Sequence, residues 1–202
     1  MESIEKKIPF TCPSCKSEHM VTCYEQLGPN KKEEVMSASF LQWDCESCGH
    51  KVKLVYPTYY CNIEKEFVVF LRPNASDVSC ITEDEKEMFK DFTMRLCKTA
   101  DTFVEKVRVF EANLNDRAIE LLKLITFAKI HVENDTIQDI FFYRRSEHGS
   151  LEFTLMYKED IDGIDIDQAM YQNVLNIVTD ELPPLEEDVY CIDLNWAGAQ
   201  VV

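Results

Sequence analysis

The chain has 202 residues, 46% of them hydrophobic and 29% charged, with a formal net charge of −16. That length buries a core without staples, and five glycines and seven prolines leave little material for a long flexible linker. The charge is lopsided: residues 1–72 hold 9 Lys and Arg against 10 Asp and Glu, and residues 73–202 hold 12 against 27. A phosphate backbone would be repelled by the second part and scarcely attracted by the first, which weighs against a general nucleic-acid binder.

The opening "MESIEKKIPF" is charged and has no apolar h-region, which argues against a secretory signal. The apolar runs "FVVFL" at 67–71 and "LLKLITFAKI" at 121–130 are too short to cross a membrane. The expectation is a soluble, cytoplasmic protein in a reducing compartment. Nine cysteines there are poor material for a disulfide framework, and the odd count leaves one over.

In chain order, "EHMVTCYEQ" at 18–26 suits a strand and "LGPNKKEE" at 27–34 a charged turn. "VMSASFLQWD" at 35–44 is expected to return as a second strand. "KVKLVYPTYY" at 51–60 alternates Val52, Leu54 and Tyr56, and "EFVVFLR" at 66–72 is a fourth strand, completing an antiparallel meander. Thr82 and Glu85 form a capping box that can start a short helix, while Phe92, Met94 and Leu96 alternate as in a strand. Residues 101–112 and 115–130 have helical spacing, with a tight corner at Asn113, a residue that tolerates the left-handed conformation. "DIFFYRR" at 139–145 and "LEFTLMY" at 151–157 read as a hairpin. Residues 166–182 read as a helix stopped by Pro183 and Pro184, and 188–195 as a last strand. The fold class is α+β: an N-terminal ribbon-like antiparallel sheet, two helices and a C-terminal ββαβ segment. The expected divisions are 1–99 for the sheet, 100–131 for the helical pair and 132–202 for an acidic α+β segment.

The strongest chemical signal is Cys12, Cys15, Cys45 and Cys48, two C-x2-C pairs separated by 29 residues. A two-residue gap lets a tight turn aim both thiolates at one ion. Two such knuckles supply the four sulfurs of a closed, tetrahedral structural zinc site. Gly49 follows the second pair, where a knuckle often needs a positive φ. The 29 intervening residues would fit by folding as a hairpin that sets the knuckles side by side. "CPSC" could instead be a redox dithiol, but it lacks a thioredoxin-like βαβ context. His19 and His50 are neighbours of the knuckles that could replace a ligand. Cys23, Cys61, Cys80, Cys97 and Cys191 read as small hydrophobes.

"IPFTCPSC" followed by "WDCESCGH", with "VEKVRVFEANLNDRAIELLK" downstream, resembles the CpXC family of mostly bacterial and archaeal proteins with two CxxC motifs. The resemblance covers roughly residues 8–130. It implies metal binding at Cys12, Cys15, Cys45 and Cys48, and makes 92–98 a strand. It implies no activity. Pro13 matches the named proline; the second pair, CESC, has none, and Asn113 stands where such proteins often carry glycine.

"DIDGIDID" at 160–167 has the look of a calcium loop but not the EF-hand spacing, and reads better as an acidic turn whose Asp165 or Asp167 starts the next helix. Arg144, Arg145 and His148 at a hairpin tip, or Arg108 and Arg117 about the helix corner, could hold an anion; solvated surface is the plainer reading. Three functions stay open. The first is a non-catalytic interaction protein with one structural zinc and a basic protein partner. The second is an enzyme with a site between the two parts and zinc only as scaffold. The third is a nucleic-acid-associated ribbon using Lys31, Lys32, Lys51 and Lys53.

Overall fold

The computed structural model describes residues 2–73, 81–133 and 136–201. The chain divides into two compact units, Met1–Val107 and Arg108–Val202. The class is α+β.

The first unit opens with strands β1 (Ile4–Thr11) and β2 (Glu18–Leu27). A 3-10 turn at Pro29–Lys31, helix α1 (Lys32–Met36) and a second 3-10 turn at Ser39–Leu41 lead to β3 (Gln42–Asp44) and β4 (Lys51–Lys53). Then come β5 (Thr58–Asn62), β6 (Phe67–Leu71), helix α2 (Glu83–Met88) and β7 (Thr93–Cys97). Helix α3 (Ala100–Glu111) follows, and the division between units falls inside it.

Five strands form one sheet in the order β1-β2-β5-β6-β7, and β3 and β4 form a separate two-stranded sheet. The sheet is mixed. β1–β2 and β5–β6 are antiparallel, whereas β2–β5 and β6–β7 are parallel. The expected meander is corrected at this point: a parallel partner must be reached by a crossover, and α2 lies in the crossover between β6 and β7. The capping box is formed, with Thr82 Oγ1 accepting from Glu85 N at 3.2 Å and Thr82 N donating to Glu85 Oε2 at 2.8 Å. All five residues of "FVVFL" in β6 are buried, as a continuous apolar run with both faces covered requires. Tyr59, Phe70 and Phe89 pack with ring centroids 5.6–5.9 Å apart.

Residues 35–41 are helix and turn rather than strand. Val35, Phe40 and Leu41 are buried from there, and only Gln42–Asp44 is extended. Residues 51–60 split into β4 and β5 around Pro57, which has no N–H to give a ladder. β1 was not anticipated. It is an exposed edge strand, and its charges hide the alternation of Ile4, Ile8 and Phe10.

In the second unit, α3 ends as expected at Asn113, whose φ is 53°. Leu114 N reaches back to Val109 O at 3.0 Å, closing the helix end. Asn115 Oδ1 accepts from Ala118 N at 3.1 Å and starts α4 (Asp116–Glu133). β8 (Ile137–Arg145) and β9 (Leu151–Tyr157) make the expected hairpin, with Gly149 at φ 88° in its turn. A third antiparallel strand, β10 (Ile161–Ile166), occupies the segment read as an acidic turn. Asp167 caps α5 (Gln168–Asp180), accepting from Ala169 N at 2.6 Å. The last strand expected at 188–195 is absent: Tyr190 and Ile192 are buried from irregular chain, and Asp193 caps α6 (Leu194–Ala199) by accepting from Trp196 N at 2.9 Å. One continuous core joins α4, the three strands and α5, with Phe142, Phe153, Ile140, Leu122 and Val178 among its buried members.

Candidate metal centre

Each cysteine pair closes the tip of its own hairpin. The β1–β2 ladder ends at Thr11 opposite Glu18, with Cys12 to Ser17 as the loop. The β3–β4 ladder ends at Asp44 opposite Lys51, with Cys45 to His50 as the loop. Both loops carry the same backbone bonds. Cys12 N donates to Ser17 O and Cys45 N to His50 O, each at 2.9 Å. Lys16 N donates to Cys12 O at 3.0 Å and Gly49 N to Cys45 O at 2.7 Å. The residue after each second cysteine is left-handed, Lys16 at φ 63° and Gly49 at φ 69°. Glycine takes that conformation freely; lysine does so at a cost of about 1 kcal/mol. The missing proline of CESC therefore changes nothing in the loop's bonding. The expectation that the 29 intervening residues form the hairpin is corrected, since the knuckles sit on two different hairpins.

The four sulfurs lie within 4.8 Å of one another and could hold a metal ion; no other metal-holding group of histidine, cysteine, aspartate and glutamate side chains occurs among the described residues. Cys12 Sγ is 3.8 Å from Cys48 Sγ, and Cys15 Sγ is 3.7 Å from Cys45 Sγ. These separations are far from the roughly 2.05 Å of a disulfide. The first cysteine of each pair is buried and the second exposed.

Around the sulfurs, Ser17 Oγ lies 2.9 Å from Cys15 Sγ and 3.7 Å from Cys45 Sγ. His19 Nε2 lies 2.8 Å from Ser17 Oγ and 3.4 Å from Cys45 Sγ. His19 packs edge-on against Trp43 at 5.1 Å, and Phe10 meets the same indole at 5.2 Å. His19 is thus a neighbour that reaches a ligand sulfur, while His50 contributes its backbone carbonyl and keeps its side chain exposed. The sequence reading missed Ser17, Trp43 and Phe10. Their signal was a shared pattern: an aromatic residue stands two places before the first cysteine in both "FTCPSC" and "WDCESC".

The loops bias the thiols unequally. Hydrogen bonds from the Ser17 side chain and backbone hold Cys15 below the ordinary thiol range. Burial pushes Cys45 up, but donation from the backbone of Cys48 and Ser47 outweighs it and brings Cys45 down. At Cys48, donation from the His50 backbone lowers the thiol, yet burial and the other three cysteines carry it above the ordinary value. Four thiolates this close repel one another, and a bound cation relieves that repulsion.

The other cysteines are apart. Cys23, Cys61 and Cys97 are buried thiols outside any disulfide, and burial pushes the Cys61 thiol up to about 11. Cys191 is partly buried, and Cys80 lies outside the described residues. In 160–167, Ile161–Ile166 is strand rather than loop, and Asp160 and Asp162 each accept at 2.8 Å from the next residue's amide. Arg144 pairs with Glu152 at 2.6 Å, Arg145 donates to Gln168, Arg117 donates to Pro183 O, and Arg108 lies over the Tyr143 ring. These arginines are engaged in local contacts.

Two β-hairpins presenting a four-sulfur cluster, set in an α+β fold, define a paired-knuckle cysteine protein. The chain belongs to the CpXC family, whose profile, described as CpXC protein, matches residues 10–123. The match spans both knuckles, all of β2 to α3 and the first part of α4. No curated protein and no solved structure matches the chain. No helix among the described residues is long and apolar enough to cross a membrane.

Proposed function

We propose that Cys12, Cys15, Cys45 and Cys48 bind one structural zinc ion, and that the chain is a non-catalytic interaction protein built on that scaffold. The sulfur spacing carries the reading. A regular tetrahedron with ligand distances of about 2.3 Å has edges of about 3.8 Å, and two sulfur pairs across the knuckles are 3.7 and 3.8 Å apart, with all four sulfurs within 4.8 Å. Four protein sulfurs leave no position for water or substrate, so the ion supplies folding free energy rather than Lewis-acid chemistry.

An acidic chain favours a basic protein partner. The lysines that a nucleic-acid ribbon would need are largely engaged. Lys31 pairs with Glu34 at 2.7 Å, Lys53 with Asp101 at 3.1 Å and Lys51 with Asp44 at 3.6 Å. Metal analysis of protein purified under reducing conditions should find about one zinc per chain. Metal-free protein with a folded first unit would overturn the scaffold reading.

A further inference from the structure

β2 is only half partnered. It pairs with β1 from Glu18 to Gln26, with a bulge at Glu25, but it meets β5 only at Gln26 and Leu27. From Glu18 to Tyr24 its second edge has no strand beside it among the described residues. In an antiparallel strand the N–H and C=O of alternate residues point the same way. Pro9 stands opposite Met20 and has no N–H to give, so Met20, and by alternation Thr22 and Tyr24, turn their N–H and C=O groups away from β1 toward the open edge. Tyr24 N confirms the direction, since it donates to Tyr56 Oη at 3.2 Å, where a ladder partner would otherwise be. Tyr56 Oη in turn donates to Phe40 O at 3.2 Å, closing the inner end.

Beyond that edge lies a groove of about 370 Å³ within the first unit. Met20, Thr22 and Tyr24 of β2 line it, together with Phe40, Trp43 and Tyr56. β3, which carries Trp43, is paired on one side only, to β4. Two carboxylates line the groove, Glu34 and Glu46, and no lysine or arginine does. Glu34 is held by Lys31, while Glu46 has no ion-pair partner among the described residues. Met20 is 61% exposed.

We propose that this groove takes an extended, basic segment of a partner protein, added as a strand to the open edge of β2. The inference deepens the interaction-protein reading and rests on it. Backbone bonds to Met20 and Thr22 would supply register-independent affinity. Trp43 and Met20 would receive apolar side chains, and Glu46 would select lysine or arginine. The two knuckles sit at the tips of the hairpins that carry β2 and β3, so the four-sulfur cluster sets the separation of the walls.

The test uses the full metal-loaded chain and immobilised peptides of about seven residues, the length of an open edge of this kind. One set alternates valine with lysine or arginine, and the other alternates valine with glutamate. The basic set should bind and change Trp43 fluorescence; the acidic set should not. Thr22→Pro removes an outward N–H that β1 does not use, so the sheet should survive and affinity should fall about tenfold. Glu46→Lys should weaken basic peptides by a similar factor. Methylating alternate backbone nitrogens of the peptide tests the same bonds without altering the protein. Indifference to charge, or binding that survives both Thr22→Pro and peptide methylation, would overturn the groove. A partner captured under those conditions would still leave the interaction-protein reading standing, whereas loss of zinc stoichiometry would strike that reading and spare the edge geometry.

Discussion

The two units reach stability by different routes. The second has one continuous apolar core, in which Phe142 meets Phe153 edge-on at 5.6 Å beneath α4 and α5. The first has a buried centre at β5 and β6, but its β3–β4 hairpin has only three residue pairs. Such a hairpin is marginal in water by itself. Trp43 packs it on Phe10 and His19 of β1–β2, and the four-cysteine cluster is placed to tie the two hairpins together. One unit is held by buried area throughout, while in the other a metal held by the cluster would add a cross-link where buried area runs short.

The largest expected effect comes from removing that cross-link. Cys12→Ser should lose the metal and unfold roughly the first 70 residues, because a structural site contributes folding free energy directly. Cys191→Ser should retain both, and equal behaviour of the two variants by metal analysis and circular dichroism would break the contrast. Next comes Phe142→Ala, a cavity in the second core that should cost about 3–5 kcal/mol in denaturant unfolding. Its metal content should be unchanged; a parallel loss of zinc would show that the two routes are not separate.

Smaller effects sharpen the comparison within each unit. Asp167→Ala removes the cap on Ala169 N and should cost about 1 kcal/mol, read from the shift in denaturant midpoint. In the first unit, Lys16→Gly should stabilise by roughly 0.5–1 kcal/mol, because it relieves a left-handed lysine. Gly49→Ala at the equivalent place should destabilise by a similar amount, although a Cβ there meets nothing within 4 Å. Opposite signs at matched positions would confirm that backbone conformation alone is at issue.

The cluster was legible because cysteine spacing is local: each loop is encoded by consecutive residues, and so is the aromatic two places before it. The α3–α4 corner was legible for the same reason, Asn113 being the left-handed residue its position requires. The sheet order was not. β2 meets β5 in parallel through only two residues, and no periodicity in either strand announces a partner so far along the chain. Residues 35–41 misled because Val35, Phe40 and Leu41 look like strand interior yet are buried from short helical turns. At 188–195, read as a strand, the contiguous apolar run 189–192 stays irregular, and the capping carboxylate of Asp193 turns the chain into α6.

The placement of each knuckle on its own hairpin has a kinetic consequence. Such hairpins close in about 1–10 μs from neighbouring residues alone, so each cysteine pair can preform as a two-thiol half-site before the sheet is ordered. The slow event is then the meeting of two half-sites across a loop of 29 residues. Refolding should therefore speed up with free zinc at low concentration and level off once the ion is bound faster than the hairpins meet.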